Sequence, residues 1–189
     1  IPVILLFRSV KINWLRIGAL CAVAIVFSVW TYQRNAVWQN ELSLWSDVVK
    51  KSPNKARPHF NLGSAYSLQN QIDKAIPLYK RALEINPNLE HPHINLGEAL
   101  ERQNKVDEAM AHYQTALKIK PDLPEAHNNI GALLAKQGHT EEAIQYYQNA
   151  LQIRPHYALA HFNLASALVE KGDIEQGTRH YYIAIEYQP

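Results

Sequence analysis

The chain has very little cysteine: Cys21 is the only one. A single cysteine cannot form a disulfide within the chain, and this one lies in an apolar run. No pair of cysteines with zinc-site spacing exists either. The sequence therefore gives no indication of the redox compartment in which the protein works.

An excess of charge of one sign is also missing, because 19 Lys and Arg side chains accompany 17 Asp and Glu. Residues 1–55 carry seven basic groups and two acidic ones, whereas residues 56–189 carry twelve basic and fifteen acidic. A slightly acidic region with interspersed signs lacks the basic surface that phosphate backbones require. We therefore expect no nucleic-acid partner.

Catalytic and cofactor motifs are absent as well. The sequence contains no phosphate-binding glycine loop and no nucleophile elbow. Four of its nine histidines hold one repeated position, which packing or capping explains better than catalysis. His91 and His93, at i and i+2, point to opposite faces of a helix rather than toward one metal. We expect no catalytic residue, metal or small-molecule cofactor here, and whether a longer protein is an enzyme stays open.

What the sequence does contain is a repeat with a period of 34 residues. An Asn-Leu-Gly phrase, with Ile or Ala in some copies, occurs at 61–63, 95–97, 129–131 and 163–165. Histidine, alanine, tyrosine and proline keep a constant distance from it. A fixed period of this size is typical of a stacked repeat array. We predict repeats over 56–89, 90–123, 124–157 and 158–189.

Each repeat is predicted to form two helices. In the second repeat, His93, Leu96, Gly97 and Leu100 fall at i, i+3, i+4 and i+7, on one helix face. Residues that tolerate a left-handed helix end follow: Asn70, Asn104, Gly138 and Gly172. The second helix buries small residues and a tyrosine until a proline ends it. In the last repeat Gly177 replaces alanine, which lowers helix propensity by about 1 kcal/mol and favours fraying.

Leu or Ile followed by Gly or Ala, then Ala, Tyr, Ala and Pro in a 34-residue unit resembles the tetratricopeptide repeat. The resemblance covers residues 56–189. It implies an all-α fold, in which antiparallel helix pairs stack into a right-handed superhelix. The first helix of each pair would line the concave wall, where proteins or extended peptides bind in this family.

The resemblance also implies which side chains line that wall. They include Arg57, Phe60, Asn61, Ser64, Ser67, Ile94, Asn95, Glu98, Asn128, Asn129, Phe162 and Asn163. Asn61, Asn95, Asn129 and Asn163 form one column, which we call the asparagine column. It is similar to the asparagine ladder of the O-GlcNAc transferase superhelix, where carboxamides hold peptide backbones as donors and acceptors. The alternative is that each asparagine bonds to a neighbouring helix and binds no ligand.

Residues 14–32 predict a transmembrane helix ahead of the repeats. Residues 17–32 carry no charge, and with Trp14 and Leu15 the run approaches the roughly 20 residues that span a bilayer. Trp14 and Trp30 stand at its two ends, as interfacial aromatic residues do. A cleaved signal peptide, disfavoured because no Ala-x-Ala-like site follows, and a buried soluble helix are the alternatives.

The flanking segments predict the topology. Residues 1–7 resemble the end of a preceding span, and residues 8–16 form a basic loop that the positive-inside rule places in the cytoplasm. The repeats would then face the extracytoplasmic side, the periplasm or a lumen. Residues 33–55 are predicted to form a junction helix, half of a repeat. Because Ile1 is not methionine and no polar cap follows Pro189, we expect a fragment open at both ends.

The junction carries a second resemblance. The segments Arg34-Asn35-Ala36-Val37-Trp38 and Leu44-Trp45-Ser46-Asp47, between a membrane anchor and the repeats, are similar to membrane proteins of the transmembrane-and-tetratricopeptide O-mannosyltransferase type. The resemblance implies a substrate-binding domain of a membrane glycosyltransferase as the alternative function, without naming a catalytic residue. The leading interpretation is a membrane-tethered module that binds proteins or peptides, and a third is an assembly scaffold for a membrane complex.

The topology can be tested with reporter fusions. Because the repeats are expected to lie outside the cytoplasm, a reporter enzyme that is active only in the cytoplasm should be inactive when fused after Pro189. The same reporter fused after Arg16, in the predicted cytoplasmic loop, should be active. Activity after Pro189 would contradict the predicted topology.

Overall fold

The computed structural model describes residues 40–188 together with Ile25 and Ser28. Residues 40–188 form nine α-helices and no strand. The helices are α1 (Glu41–Lys51), α2 (Ala56–Leu68), α3 (Ile72–Ile85), α4 (Glu90–Arg102), α5 (Val106–Ile119), α6 (Pro124–Lys136), α7 (Thr140–Ile153), α8 (Ala158–Glu170) and α9 (Ile174–Glu186). The predicted all-α helical repeat fold is confirmed.

Helices α2 to α9 form four antiparallel pairs, one in each predicted repeat. We call the first helix of each pair the A helix and the second the B helix. Consecutive A helices contact each other, whereas within residues 40–188 no two B helices do. Because the A helices lie closer together, the stack curves with the A helices on its inner side, where they line a groove. The handedness of the superhelix stays a prediction.

In the first three repeats a glycine of the A helix faces a tyrosine of the B helix at close range. A Cβ atom added to Gly63 would lie 2.7 Å from Cε1 of Tyr79, and one added to Gly97 would lie 2.5 Å from Cε1 of Tyr113. The third repeat has the same contact, at 2.7 Å. Because the tyrosine rings are fully buried and close-packed interiors leave no room for such an overlap, only glycine fits opposite them.

The last repeat achieves its close approach with the two small residues exchanged. Ala165 stands on the A helix and Gly177 on the B helix, where the earlier repeats have glycine and alanine. A Cβ atom on Gly177 would lie 3.0 Å from the Ala165 carbonyl oxygen and 2.6 Å from Cγ2 of Val169. Helix α9 is continuous through Gly177. Glycine lowers the helix propensity at this position, but alanine could not pack there, because its methyl group would overlap Val169.

The turn between the two helices of a repeat contains one left-handed residue, as predicted. Asn70 and Asn104 have φ of 58° and 60°, and Gly138 and Gly172 have φ of 81° and 96°. In all four turns the following N–H group donates to the carbonyl oxygen five residues earlier, at 2.9 Å. This hydrogen bond satisfies one of the free carbonyl groups at the helix end and fixes where the A helix stops.

A histidine connects each A helix to the loop before it. The Nε2 atoms of His59, His93, His127 and His161 lie 2.8–3.1 Å from the carbonyl oxygens of Pro53, Pro87, Pro121 and Pro155. Because a carbonyl oxygen only accepts, Nε2 must carry the proton. Pro53 precedes the first repeat and follows α1, which packs against α2. Helix α1 contacts α2 as each B helix contacts the A helix that follows it, and the half-repeat interpretation of residues 33–55 stays a prediction.

The predicted membrane segments lie outside the described residues, apart from Ile25 and Ser28. This applies to residues 1–7, to the basic loop at 8–16 and to the span at 14–32. No helix within the described residues is long and apolar enough to cross a bilayer.

Replacing Gly97 by alanine should destabilise the array. The new methyl group would overlap the buried Tyr113 ring, and overpacking costs roughly 1–3 kcal/mol, more than the helix propensity gain of about 1 kcal/mol. The exchange G97A/A109G copies the last repeat, so it should cost less than the sum of the two single substitutions. Urea unfolding of the full chain measures all three variants. Additive losses would contradict this account of the contact.

Candidate functional site

The asparagine column lies on the inner wall of the groove, with all four side chains partly buried. Three of them donate through Nδ2 to a residue of the preceding A helix. Asn95 donates to Oγ of Ser64 (3.2 Å), Asn129 to Oε1 of Glu98 (3.0 Å) and Asn163 to Oδ1 of Asn128 (2.9 Å). These bonds connect neighbouring repeats. Three of the four asparagines therefore bond to a neighbouring helix, as the alternative to ligand binding proposed.

The same bonds leave part of each carboxamide free. A primary amide has two N–H donors and an oxygen acceptor, and each inter-repeat bond uses one donor. Asn128 donates to the Oδ1 atom of Asn129 at 3.3 Å. The Oδ1 atoms of Asn95 and Asn163 accept no hydrogen bond from the described residues. The column can therefore connect repeats and still offer hydrogen bonds to a ligand.

Other residues predicted for the groove wall have different surroundings. Ile94 and Asn128 are only 3% and 1% exposed, because both lie under the neighbouring repeat, and neither offers a free surface. Phe60 is partly buried, with its ring 6.0 Å from that of Tyr79. Arg57 is exposed. Helical periodicity places these residues on one face but does not tell how much of that face the next repeat covers.

Phe162 is 52% exposed, unlike its counterparts Ile94 and Asn128. It lines an apolar cavity of about 780 Å³ at the last repeat, together with Leu159 and Tyr181. In the earlier repeats the following A helix covers this position, and no described helix follows α9.

The middle of the groove carries acidic side chains and a few basic ones. Glu101 bonds to Lys136, and Glu125 bonds to Arg154. Burial raises the pKa of Glu98, although the hydrogen bond from Asn129 and the charge of Arg102 oppose the shift. Glu98 is exposed to the groove, so the neighbouring walls remove only part of its water. Its carboxylate accepts a hydrogen bond from Asn129 and stands at the wall, where a ligand can reach it.

A cavity of about 480 Å³ opens into the groove between α2 and α4. Its lining residues are Ser64, Ser67, Leu68, Asn70, Tyr79, Asn95, Glu98 and Arg102. Four of them stand on the predicted wall. Arg102 was not predicted, although it follows Asn95 by seven residues and thus shares its helix face. Tyr79 was interpreted as a packing residue, and no sequence signal shows that it also reaches a cavity.

Tyr79 is fully buried, and its hydroxyl has no hydrogen-bond partner among the described residues. Leaving a buried hydroxyl unpaired costs roughly 1–3 kcal/mol. Most buried polar groups in proteins do find a partner. The floor of the cavity therefore has unused hydrogen-bonding capacity.

Two histidine pairs lie outside the groove wall. Nδ1 of His93 lies 2.9 Å from Nδ1 of His112, and the same distance separates His161 and His180. Since Nε2 of His93 donates to Pro87, its Nδ1 must accept from His112 when both rings are neutral. The described residues contain no group of three or more metal-binding side chains, and the pairs form ordinary hydrogen bonds.

The first and third repeats lack this pairing. Their second-helix positions hold Leu78 and Tyr146, and the Nδ1 atoms of His59 and His127 have no partner among the described residues. In all four repeats the A-helix histidine therefore has a structural role, because its Nε2 atom bonds to the preceding loop. Only the second and fourth repeats add a second histidine.

Comparison with known proteins identifies the repeats. A family model described as tetratricopeptide repeat matches residues 56–89 and 124–157, and one described as TPR repeat matches residues 102–138. These segments are tetratricopeptide repeats, as the resemblance predicted. No curated protein matches the sequence.

Solved structures with the same fold share little sequence. MamA from Desulfovibrio magneticus RS-1 is 17% identical, with a TM-score of 0.67 over 88% of this chain and 93% of that one. PilF of Pseudomonas aeruginosa is 16% identical, with a TM-score of 0.71 over 89% of this chain and 76% of that one. For the Cut9–Hcn1 hetero-tetramer of the APC/C, the sequence identity is 20% and the TM-score is 0.74, over 78% of this chain and 28% of that chain. Identities this low show the fold alone.

The histidines should make stability depend on pH. Burial lowers the pKa of His93, His112 and His180; around His112 the charges of His93 and Lys80 lower it further, while Glu108 raises it. Unfolded histidine titrates at about pH 6.5, so around and below that pH the unfolded chain binds more protons than the folded one. The free energy of unfolding should therefore fall as the pH drops from 7.5 to 5.5.

Chemical denaturation at a series of pH values measures this dependence. The variant H112L/H180L, which copies Leu78 of the first repeat, should show a weaker loss over the same range. An equally steep loss in this variant would show that the pairs do not cause it.

Proposed function

We propose that the tetratricopeptide repeats of this chain form a protein-interaction scaffold that binds proteins or extended peptides in the groove lined by the A helices. In this proposal residues 14–32 tether the chain to a membrane. The repeats then face the extracytoplasmic side, where the basic loop at 8–16 would direct them. No nucleic acid or small-molecule cofactor takes part.

The observation that carries this proposal is the asparagine column. One carboxamide per repeat stands at the same place on the inner wall, and those of Asn95 and Asn163 keep a free oxygen. An extended peptide presents N–H and C=O groups at every residue, whatever its side chains. A column of amides can pair with that backbone, which gives affinity without demanding one sequence.

The inter-repeat bonds of the column support this role. Because Ser64, Glu98 and Asn128 fix one amide proton of each following asparagine, the carboxamides are held in position before a ligand arrives. Side chains that are ordered in advance lose less entropy on binding.

A second candidate is the substrate-binding domain of a membrane glycosyltransferase of the O-mannosyltransferase type. Its support is the junction sequence, of which residues 44–47 lie in α1, packed against the first repeat. In this case the groove would hold the protein substrate. An upstream reading frame with several further spans, and an acidic pair in the first extracytoplasmic loop, would favour it over a scaffold. A single-span N-terminus would favour the scaffold.

The Cut9–Hcn1 structure is, by its description, a hetero-tetramer of an assembly. That protein pair illustrates the kind of partnership we propose for this chain, without naming its partner.

Peptide binding can be tested on the asparagine column. Extended peptides selected from a random displayed library with the full chain are measured by fluorescence anisotropy. The variant N95A/N129A should bind them on the order of tenfold more weakly, since each lost hydrogen bond is worth about 0.5–1.5 kcal/mol. An unchanged dissociation constant would exclude the column as the binding site.

Asn128→Ala provides the matched control. Asn128 is buried and bonds to both Asn129 and Asn163, so its removal should weaken the stack without taking a side chain from the groove. This variant should unfold at a lower temperature than the parent and lose less peptide affinity than N95A/N129A, because it removes only the ordering of Asn129 and Asn163 and not a contact to the peptide. A loss of affinity in parallel with N95A/N129A would mean that stability, not contact, controls binding.

A further inference from the structure

The hydroxyl of Tyr79 lies at the inner face of the array. In the second repeat the equivalent Tyr113 donates to Oε2 of Glu101 at 3.3 Å, and in the fourth Tyr181 bonds to Oγ of Ser166 at 2.9 Å. Both partners stand on the A helix of their own repeat. In the second repeat the close contact with Gly97 orients the ring of Tyr113, and Tyr79 makes the same contact with Gly63.

In the first repeat, Tyr79 has no such partner among the residues that the structure describes. Ser67 and Ser64 correspond to the two partner positions and line the cavity. The Ser64 hydroxyl donates to the carbonyl of Phe60 and accepts from Asn95. Ser67 is too short to replace the glutamate that reaches the tyrosine in the second repeat. The Tyr79 hydroxyl is thus left, fully buried, at the floor of a cavity that opens into the groove.

The cavity walls offer both donors and acceptors around this floor. Asn95 contributes a free amide oxygen, Glu98 a carboxylate and Arg102 a guanidinium group. Glu98 and Arg102 stand one helical turn apart and carry opposite charges, so the cavity has no net charge. Leu68, 81% exposed, adds an apolar edge.

This chemistry discriminates among ligand side chains. A charged side chain would be attracted by one member of the Glu98–Arg102 pair and repelled by the other. An apolar side chain would leave the Tyr79 hydroxyl unpaired. A carboxamide can accept from Tyr79 or Arg102 and at the same time donate to Asn95 or Glu98. A space of about 480 Å³ is ample for such a side chain with accompanying water.

We propose that this cavity is a specificity pocket of the groove and that it takes a glutamine or asparagine side chain of the bound peptide. Tyr79 binds the carboxamide oxygen, and Asn95 connects the pocket to the asparagine column. The inference rests on the proposed peptide-binding function, and it adds a side-chain preference to a groove that otherwise recognises backbone.

A fragment titration tests the pocket directly. N-acetyl-glutamine N-methylamide is added to the full chain in detergent, and NMR follows the Leu68 methyl groups and the Asn95 side-chain amide. The probe should shift both signals. Its glutamate and norleucine analogues, which alter charge and polarity at nearly constant length, should bind at least tenfold more weakly. Equal binding of the norleucine analogue would overturn the proposal.

Tyr79→Phe separates binding from folding. The variant loses only the hydroxyl, so the glutamine probe should bind about tenfold more weakly while the melting temperature stays equal or rises, because an unpaired buried group is removed. Tyr147→Phe, at the same register in the third repeat and outside this cavity, should leave probe binding unchanged. An unchanged dissociation constant in Tyr79→Phe would also overturn the proposal.

The two proposals fail in different ways. If selected peptides bind and depend on Asn129, which does not line the cavity, while the glutamine probe shows no preference, the pocket assignment is wrong and the groove function stands. If no peptide binds in the groove at all, the proposed function fails together with the pocket that rests on it.

Discussion

The close approach of two helices within each repeat is the constraint on which the rest of the structure depends. In the first three repeats a glycine on one helix gives room to a tyrosine on the other, at a distance that excludes even a methyl group. This contact sets the spacing of the pair, and it also directs the tyrosine hydroxyl toward the inner wall. Packing and function are therefore coupled at one residue type, because the ring that fills the core carries the polar atom that faces the groove. In the second repeat an acidic side chain, Glu101, accepts a hydrogen bond from that atom. Where only serines stand nearby, a cavity remains.

The asparagine column shows a second coupling, between repeats rather than within them. A side chain that has two donors and one acceptor can bond to the preceding A helix and still present hydrogen bonds to the groove. Asparagine is a poor helix former, and the inter-repeat bonds give a structural reason for its presence at Asn95, Asn129 and Asn163. The structural and the binding interpretations of the column are thus compatible, and the binding one depends on the atoms that the structural one leaves free.

The repeats, their helix pairs and their left-handed turns were predictable because each depends on residues within one helix or one turn. Asn70 and Gly138 show this, since the residue type alone indicates the turn. Features that depend on contacts between elements were not predictable. Ile94 and Asn128 share a face with groove residues, but the adjoining repeat covers them. His93 meets His112 nineteen residues later, a separation that no helical period indicates. The hydroxyl of Tyr79 is unpaired because Ser67 stands where the second repeat has Glu101. The repeat pattern alone does not show which tyrosine hydroxyl has a partner.

The exchange of glycine and alanine in the last repeat has a historical consequence. A methyl group added to either glycine would overlap a side chain of the facing helix, Tyr113 at Gly97 and Val169 at Gly177, whereas a pair of glycines only lowers helix propensity, by about 1 kcal/mol. If a repeat duplicated from its neighbours is to change from the arrangement at Gly97 and Ala109 to that at Ala165 and Gly177, the glycine pair is the passable intermediate. The order of the two substitutions is then constrained, glycine first and alanine second, and once the alanine is present the glycine cannot revert without forming the alanine pair.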